Sequence, residues 1–488
     1  MALYPESECR EGFTRNRNNR VSDVTKESFL PPREDATIVS PATPGGEGAV
    51  SIVRLSGPKA FPVLSALTSL SPSFFPPRTL MRADVRDAAG NLIDAALAVC
   101  FPGPNSFTGE DVVELHLHGS PVVVEAAVRA ACEAGAAPAE PGEFSRRAFL
   151  NGKMDLTQAE GLADLIAART QAATSSALRQ MRGAIGQKIS PIRESLVELL
   201  TELETAIDFG DEEDLPQIEQ TKIRERVKEM SCLLESLLGT YEKGRRFRDG
   251  AMVAIAGVAN VGKSLLLNRL AGEERAIVDD TPGTTRDFLR AEVVVGGIPV
   301  LLVDTAGLRE TKDPVEIKGV ARSKEAIAQA DLVLFVLDGA REVKEEDRQA
   351  FEEVREHPHL VVVNKSDLPA VATGEELAGA GKGKGVVRLS AKTGESVDRL
   401  VEMIARELAI SEGAVLAQAP LTRERHRLAV AKALEALARA GESVSAGLPF
   451  EFTAADIREA SCALAELVGE IAPEEILNEV FSRFCIGK

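Results

Sequence analysis

Four short segments carry residues whose types and spacing suit phosphate and base chemistry. Gly257-Val258-Ala259-Asn260-Val261-Gly262-Lys263-Ser264 follows the apolar run AMVAIA and precedes LLLNRL. Glycines let the N–H groups of such a loop turn toward a polyphosphate, a lysine neutralises the β/γ oxygens, and a serine hydroxyl binds Mg²⁺. Lys263 and Ser264 stand in those places, with Asn260, Val261, Gly262 and Leu265 as further expected contacts. Asp304-Thr305-Ala306-Gly307 follows the apolar run VLLV. An aspartate at that strand end holds Mg²⁺ through water, and Gly307 can offer its N–H to a γ-phosphate. Asn364-Lys365-Ser366-Asp367 follows LVVV, and Ser390-Ala391-Lys392 suits a loop closing over a base. The Asp367 carboxylate matches N1–H and the 2-amino group of guanine, which adenine lacks. A carboxylate left without those donors is costly, so GTP is preferred to ATP.

Between the first two segments lies Asp279-Asp280-Thr281-Pro282-Gly283-Thr284-Thr285. One threonine there, Thr285 in this reading, completes the Mg²⁺ shell and senses the γ-phosphate. Leu308, not glutamine, follows Gly307. The water-positioning glutamine of Ras-type enzymes is therefore missing, and another group must align the water.

The elements that position these segments follow from apolar periodicity. Residues 251–256, 291–303, 331–337 and 360–363 are buried-strand patterns with helical patterns between them, a βαβ rhythm that predicts a mostly parallel sheet. This G domain is expected over 250–410. Around it, 175–189, 192–207, 223–247, 427–440, 454–468 and 474–484 carry apolar residues at helical spacing among dense charge. They predict a helical domain from 151–249 and 411–488, interrupted by the insertion. Residues 35–150 read as a small α/β domain, and 1–34 as a disordered extension with no apolar core of a signal peptide.

Composition narrows the partners. Fifty-seven Lys and Arg against 75 Asp and Glu leave a net charge of −18, which argues against wrapping nucleic acid over the whole surface but not against one basic patch. The cluster Lys243, Arg245, Arg246 and Arg248 could touch RNA phosphates, although a solvated helix end is the preferred reading. Six scattered cysteines without a C-x-x-C pair suggest free thiols in a reducing cytosol, and no apolar run reaches the ~18 residues of a membrane span. His116 and His118 share a strand face without an evident third metal ligand, which favours a structural role.

GVANVGKS, AIVDDTPGTTRD, DTAGLRE and the terminal Phe484-Cys485-Ile486-Gly487-Lys488 together resemble the MnmE (TrmE) family of tRNA-modifying GTPases. The resemblance spans nearly everything from Asp35 onward. It takes in Gly103-Pro104-Asn105-Ser106-Phe107-Thr108-Gly109-Glu110-Asp111, Pro141-Gly142-Glu143-Phe144 and Asn151-Gly152-Lys153-Met154-Asp155-Leu156.

The resemblance implies a multidomain protein, α/β and all-α: a folate-binding N-terminal α/β domain, a central helical domain and an inserted Ras-like P-loop G domain. It implies a cytoplasmic homodimer that works with the flavoprotein MnmG (GidA) on C5 of the wobble uridine of certain tRNAs. The one-carbon unit would come from a tetrahydrofolate, 5-formyl or 5,10-methylene, with glycine or ammonium as co-substrate. Hydrolysis in the family is switched on by K⁺ as two G domains meet. The family's K⁺ ligands match Asn260, Asp279, Thr281 and Thr284, and its water-orienting glutamate matches Glu316. With Lys263 and Thr285, Glu316 makes up the expected catalytic set, and Ser264 and Thr285 the Mg²⁺ ligands. Folate contacts carry over to Arg54, Glu114, Lys153 and Lys488. Cys485 is expected to pack within the tail. The sequence departs from the family at Pro44-Gly45-Gly46-Glu47-Gly48-Ala49, at His118-Gly119-Ser120 and at Ala259, where the family favours proline. A ribosome-assembly GTPase would need an appended RNA-binding module after the G domain, and residues 411–488 read as helical and acidic instead.

Overall fold

The computed structural model describes residues 36–70, 76–208, 219–272, 290–305, 324–408 and 421–488. They form two compact units, one of residues up to Asp155 together with Ala472–Lys488, the other Leu156–Ile471.

The first unit is built on a six-stranded sheet. Its strands are β1 (Ile38–Pro41), β2 (Gly48–Ser56), β3 (Met81–Arg86), β4 (Leu92–Phe101), β5 (Val112–Gly119) and β6 (Ala137–Pro138), in the order β3-β4-β5-β2-β1-β6. The β1–β6 pair is parallel and the rest are antiparallel. Alternation on β5 puts Val113, Leu115 and Leu117 into the core, against α1 (Ala60–Leu67) and α2 (Pro121–Glu133), and turns Glu114 and His116 to the opposite face. A third helix, α3 (Glu143–Leu150), follows.

The C-terminal residues are placed differently from the sequence expectation. Helical periodicity assigns 472–488 to the helical domain, but they belong to the N-terminal unit. Phe481 of the C-terminal helix Glu474–Ser482 stacks on Phe149 of α3 at 6.1 Å and on Phe484 at 5.6 Å. Arg146 pairs with Glu474 at 3.5 Å. The apolar face of this helix thus has its partner far away in sequence, which periodicity cannot reveal. Gly487 sits at φ +95°, where a Cβ would collide with the Pro41 carbonyl oxygen. Cys485, expected to pack, is exposed, while Phe484 and Gly487 on either side of it in the tail are buried.

The second unit contains a helical core and an α/β core. The helices α4 (Leu156–Ala167), α5 (Gln171–Met181), α6 (Ala184–Asp208), α7 (Gln220–Leu238) and α8 (Tyr241–Asp249) precede the strands. The periodic stretch 175–189 breaks at Gly183, whose φ of +83° ends α5, and the stretch 223–247 breaks at Gly239-Thr240. Six strands follow: β7 (Ala251–Ala256), β8 (Arg290–Val295), β9 (Ile298–Asp304), β10 (Leu332–Asp338), β11 (His359–Asn364) and β12 (Gly383–Arg388), in the order β12-β11-β10-β7-β9-β8. Only β8, joined to β9 through Gly296-Gly297, runs antiparallel to its neighbour. The sheet carries α9 (Lys263–Leu270), α10 (Glu345–Glu352), α11 (Glu375–Ala378) and α12 (Val397–Glu407). The chain then returns to helix in α13 (Glu424–Ser445) and α14 (Phe450–Val468). Ile189, Leu196 and Leu203 of α6 and Val227 and Leu234 of α7 share one core with Val430 and Leu437 of α13 and Ile457 and Leu464 of α14. The helices on either side of the α/β insertion therefore close on each other.

Gly487→Ala is expected to free the tail, because the positive φ and the collision with Pro41 both oppose a Cβ. Carboxypeptidase should then trim the C-terminus of the variant at least about tenfold faster than that of the parent chain. Equal trimming rates would remove Gly487 from the seating of the tail.

Candidate functional site

The sequence-marked residues of the α/β domain gather at the C-terminal ends of the parallel strands, where open α/β sheets place their ligands. The phosphate loop leaves β7 at Gly257 and enters α9 at Lys263. Asn260 takes the left-handed conformation, φ +66°, which asparagine tolerates better than most side chains. Lys263 is 5% exposed, and its Nζ donates to the carbonyls of Gly257 and Val258, each at 2.6 Å. The ammonium is thereby folded over the loop, near where β/γ oxygens would lie. Ser264 Oγ donates to Asp304 Oδ2 at 2.7 Å. This brings together the hydroxyl and the buried carboxylate expected at a Mg²⁺ ion, and hard oxygen donors of this kind fit that cation.

A second group of contacts joins the phosphate loop to the base side. Asn364, 2% exposed at the end of β11, donates from Nδ2 to Val261 O at 2.8 Å and accepts at Oδ1 from Ala391 N at 2.9 Å. A Cβ at Gly262 would strike that amide. Ser390 Oγ donates to Asp367 Oδ1 at 2.6 Å, and this bond holds the Asp367 carboxyl below its ordinary range. Lys365 Nζ meets Asp338 Oδ2 at 2.6 Å, which together with the Ala340 N–H bond lowers the Asp338 pKa despite partial burial. Arg269 of α9 donates to the carbonyls of Ala391 at 3.1 Å and Lys392 at 2.6 Å. The structure thus gathers Lys263, Ser264 and Asp304 on one side, and Asn364, Lys365, Asp367, Ser390, Ala391 and Lys392 on the other. Thr305 donates to Ile255 O at 2.8 Å, Ser366 to Glu395 at 3.1 Å, and the Leu265 side chain is exposed. Asp279, Asp280, Thr281, Pro282, Gly283, Thr284, Thr285, Ala306, Gly307 and Glu316 lie outside the described residues.

Sequence reading missed Asp338 and Arg269. Asp338 had a signal, since it ends the apolar run LVLFVLD much as Asp304 and Asn364 end theirs. Arg269 had none, because its partners are carbonyls of a distant loop.

In the N-terminal unit, Arg54 and Glu114 face each other across β2 and β5 and form an ion pair at 2.9 Å. The Arg54 guanidinium lies 5.7 Å from the Phe107 ring and 5.9 Å from that of Phe144. The loop carrying Phe107 is tied to the Asn151-Gly152-Lys153 turn: Asn151 Nδ2 donates to Thr108 O at 2.7 Å, and Lys153 Nζ to Pro104 O at 2.9 Å. Gly487 meets Pro41 on β1, the strand beside β2, and Lys488 after it is half-buried. A cation, a carboxylate and two aromatic rings suit a planar, hydrogen-bonding heterocycle with an acidic chain, and in this respect the residues fit a folate. His116 contacts Glu114 at 3.3 Å, and His118 contacts Asp94 at 2.7 Å. Among the described residues no group of three His, Cys, Asp or Glu could hold a metal ion.

The cluster at the end of α8 is not a solvated helix end. Arg245 reaches Asp331 at 2.6 Å, Arg246 donates to Leu408 O at 2.8 Å, and Arg248 reaches Asp164 at 3.3 Å.

A phosphate loop, a serine–aspartate pair and a lowered carboxylate at the base side, set on a parallel sheet inserted between helices, define a P-loop GTPase. A model of the MnmE helical domain matches residues 156–485, and one of the GTP-binding protein TrmE N-terminus matches 37–153. The tRNA modification GTPase MnmE of Aquifex aeolicus is 43% identical over 460 residues, 92% of this chain and 99% of its own. That of Methylorubrum populi is 45% identical over 462 residues, 94% of this chain and 99% of its own. Among solved structures, the G domain of the T. maritima FeoB iron transporter aligns with 32% of this chain and 98% of its own, at 27% identity and a TM-score of 0.25. The chain belongs to the MnmE family of GTPases.

Removing the Ser390 hydroxyl should let the Asp367 pKa rise toward ordinary. Because guanine needs the carboxylate charged, GTP affinity in Ser390→Ala should fail at higher pH than in the parent, within roughly pH 3 to 5, around the ordinary aspartate value. Titration with a fluorescent guanine nucleotide across that range checks this, and superimposable pH profiles would contradict it.

Proposed function

We propose that this chain is a potassium-stimulated GTPase that acts with the flavoprotein MnmG on the wobble uridine of certain tRNAs. The product would carry an aminomethyl or carboxymethylaminomethyl group at C5, built from a tetrahydrofolate one-carbon unit. The observation that supports this most is the joined set Lys263, Ser264–Asp304 and Asp367–Ser390 within a chain of the MnmE family.

In this reading Lys263 exchanges its two loop carbonyls for β/γ oxygens of GTP. Ser264 and Thr285 would hold Mg²⁺, with Asp304 beside them, and the ion would neutralise phosphate charge. Asp367 accepts from N1–H and the 2-amino group of guanine, with Ser390-Ala391-Lys392 over the base. Asn260, Asp279, Thr281 and Thr284 would hold K⁺, which would supply positive charge at the transferring phosphoryl group in place of an arginine finger. Glu316 orients the attacking water. Arg54, Glu114, Lys153 and Lys488 would contact folate, supplying a carboxylate for its amino groups and cations for its carboxylates. The chain is read as a cytoplasmic homodimer, consistent with five free cysteines among the described residues and no described helix able to span a membrane.

GTP turnover should run at least about tenfold faster in KCl than in NaCl at equal ionic strength, and equal rates would remove the potassium role. Glu316→Ala should lower turnover by about 10² or more while sparing nucleotide affinity; a parental rate would exclude Glu316. Mass analysis of tRNA from a deletion strain should show unmodified wobble uridines, and an unchanged nucleoside profile would overturn the modification role.

A further inference from the structure

The insertion of the α/β domain creates two chain crossings, one leaving α8 toward β7 and one returning from α12 to α13. Both are gripped by arginines that converge on one helix. At the first crossing Arg248 Nε lies 3.3 Å from Asp164 Oδ1 on α4. At the second, Arg423 Nη2 lies 2.6 Å from the same Oδ1. Arg248 also donates to Thr422 O at 3.5 Å, so the two crossings touch each other beside Asp164. One turn earlier on α4, Glu160 is 1% exposed and receives His426 Nε2 at 2.6 Å and Arg425 Nη2 at 3.0 Å. His426, Arg425 and Arg423 together keep the Glu160 carboxyl well below its usual range against the cost of its burial.

The other side of α8 faces the α/β domain. Asp331, just before β10, accepts from Arg245 at 2.6 Å, from Arg246 at 3.4 Å and from Met252 N at 2.9 Å. Arg246 also donates to Leu408 O, the last described residue before the return crossing. Three arginines within about one helical turn thus tie α8 to the α/β domain through Asp331 and to the helical domain through Asp164.

Buried ion pairs are a poor route to stability, since apolar residues of similar volume commonly serve as well or better. Their arrangement at both crossings therefore points to a positional role. Asp164 has room to change partners: its Oδ2 has no hydrogen-bond partner among the described residues, and it lines a cavity of about 180 Å³ with Ser176, Gln180, Phe247 and Thr422. Burial also pushes its pKa up, so its charge is held by the arginines rather than by solvent.

We propose that Asp164 is the fastening through which the nucleotide state of the α/β domain reaches the helical domain, with α8 as the lever between Asp331 and Asp164. This rests on the reading that GTP turnover drives a distant modification. The geometry supplies what such coupling requires, a physically continuous element that both domains bias.

The test is amide hydrogen exchange on the full chain with GDP and with a non-hydrolysable GTP analogue, reading residues 246–250 and 421–427. In the parent chain, exchange there should differ at least about threefold between the two nucleotides. In Asp164→Asn, which keeps the shape and removes the charge, both segments should exchange about tenfold faster and the nucleotide difference should vanish. Arg248→Gln removes one arm of the clasp and should lose the difference at 246–250 first. GTP turnover should stay within about twofold of the parent in both variants while wobble-uridine modification with the partner protein falls. A parent chain without nucleotide-dependent exchange at these segments would overturn the proposal. So would variants that keep that dependence, or turnover lost in step with coupling. If the parent chain modifies no uridine, the proposed function fails while the exchange result still decides on the clasp.

Discussion

The nucleotide site depends on one buried amide. Asn364 donates to the carbonyl of Val261 and accepts from the N–H of Ala391, so a single side chain fastens the phosphate loop to the loop that meets the base. Both its functional ends are satisfied inside the protein, as a buried amide requires. The consequence is mechanical. The distance between the triphosphate cradle and the base cradle is set before a ligand arrives, and binding need not spend its free energy on ordering them. Arg269 reinforces this by tying the helix that follows the phosphate loop to the carbonyls of Ala391 and Lys392.

The same economy recurs in the N-terminal unit. Arg54 is held by Glu114 across the strand pair and by two aromatic rings, and the loop bearing Phe107 is held by Asn151 and Lys153. Motifs 43 to 60 residues apart thus brace one another, which explains why each looks like an unremarkable surface charge when read alone.

What the sequence disclosed follows from where the information resides. The phosphate loop, the strand-end Asp304 and the Asn364–Asp367 segment are local patterns whose meaning is carried by immediate neighbours, and the fold brings the residues they mark together. Strand alternation on β5 and the βαβ rhythm were legible for the same reason. The breaks at Gly183 and at Gly239-Thr240 were not, because helical periodicity runs on through them. The arginines of α8 read as solvated because their carboxylate partners, Asp164 and Asp331, lie more than eighty residues away. That helix Glu474–Ser482 packs within the N-terminal unit was not legible, because an apolar stripe announces that it will be covered but not by what. Thr285 carries a role read from its segment alone and Glu316 one that rests on resemblance, since both lie outside the described residues.

The seating of the tail on β1 has a consequence for biosynthesis. The unit formed by the first part of the polypeptide lacks Phe481, Phe484 and Gly487 until residues 472–488 have been translated and have left the ribosome exit tunnel. Through most of translation, the faces that these residues cover stand open while the remaining domains are being made. A nascent chain is thus obliged to wait for this distant segment, and a chain that stopped before it would carry an N-terminal unit without its closing piece.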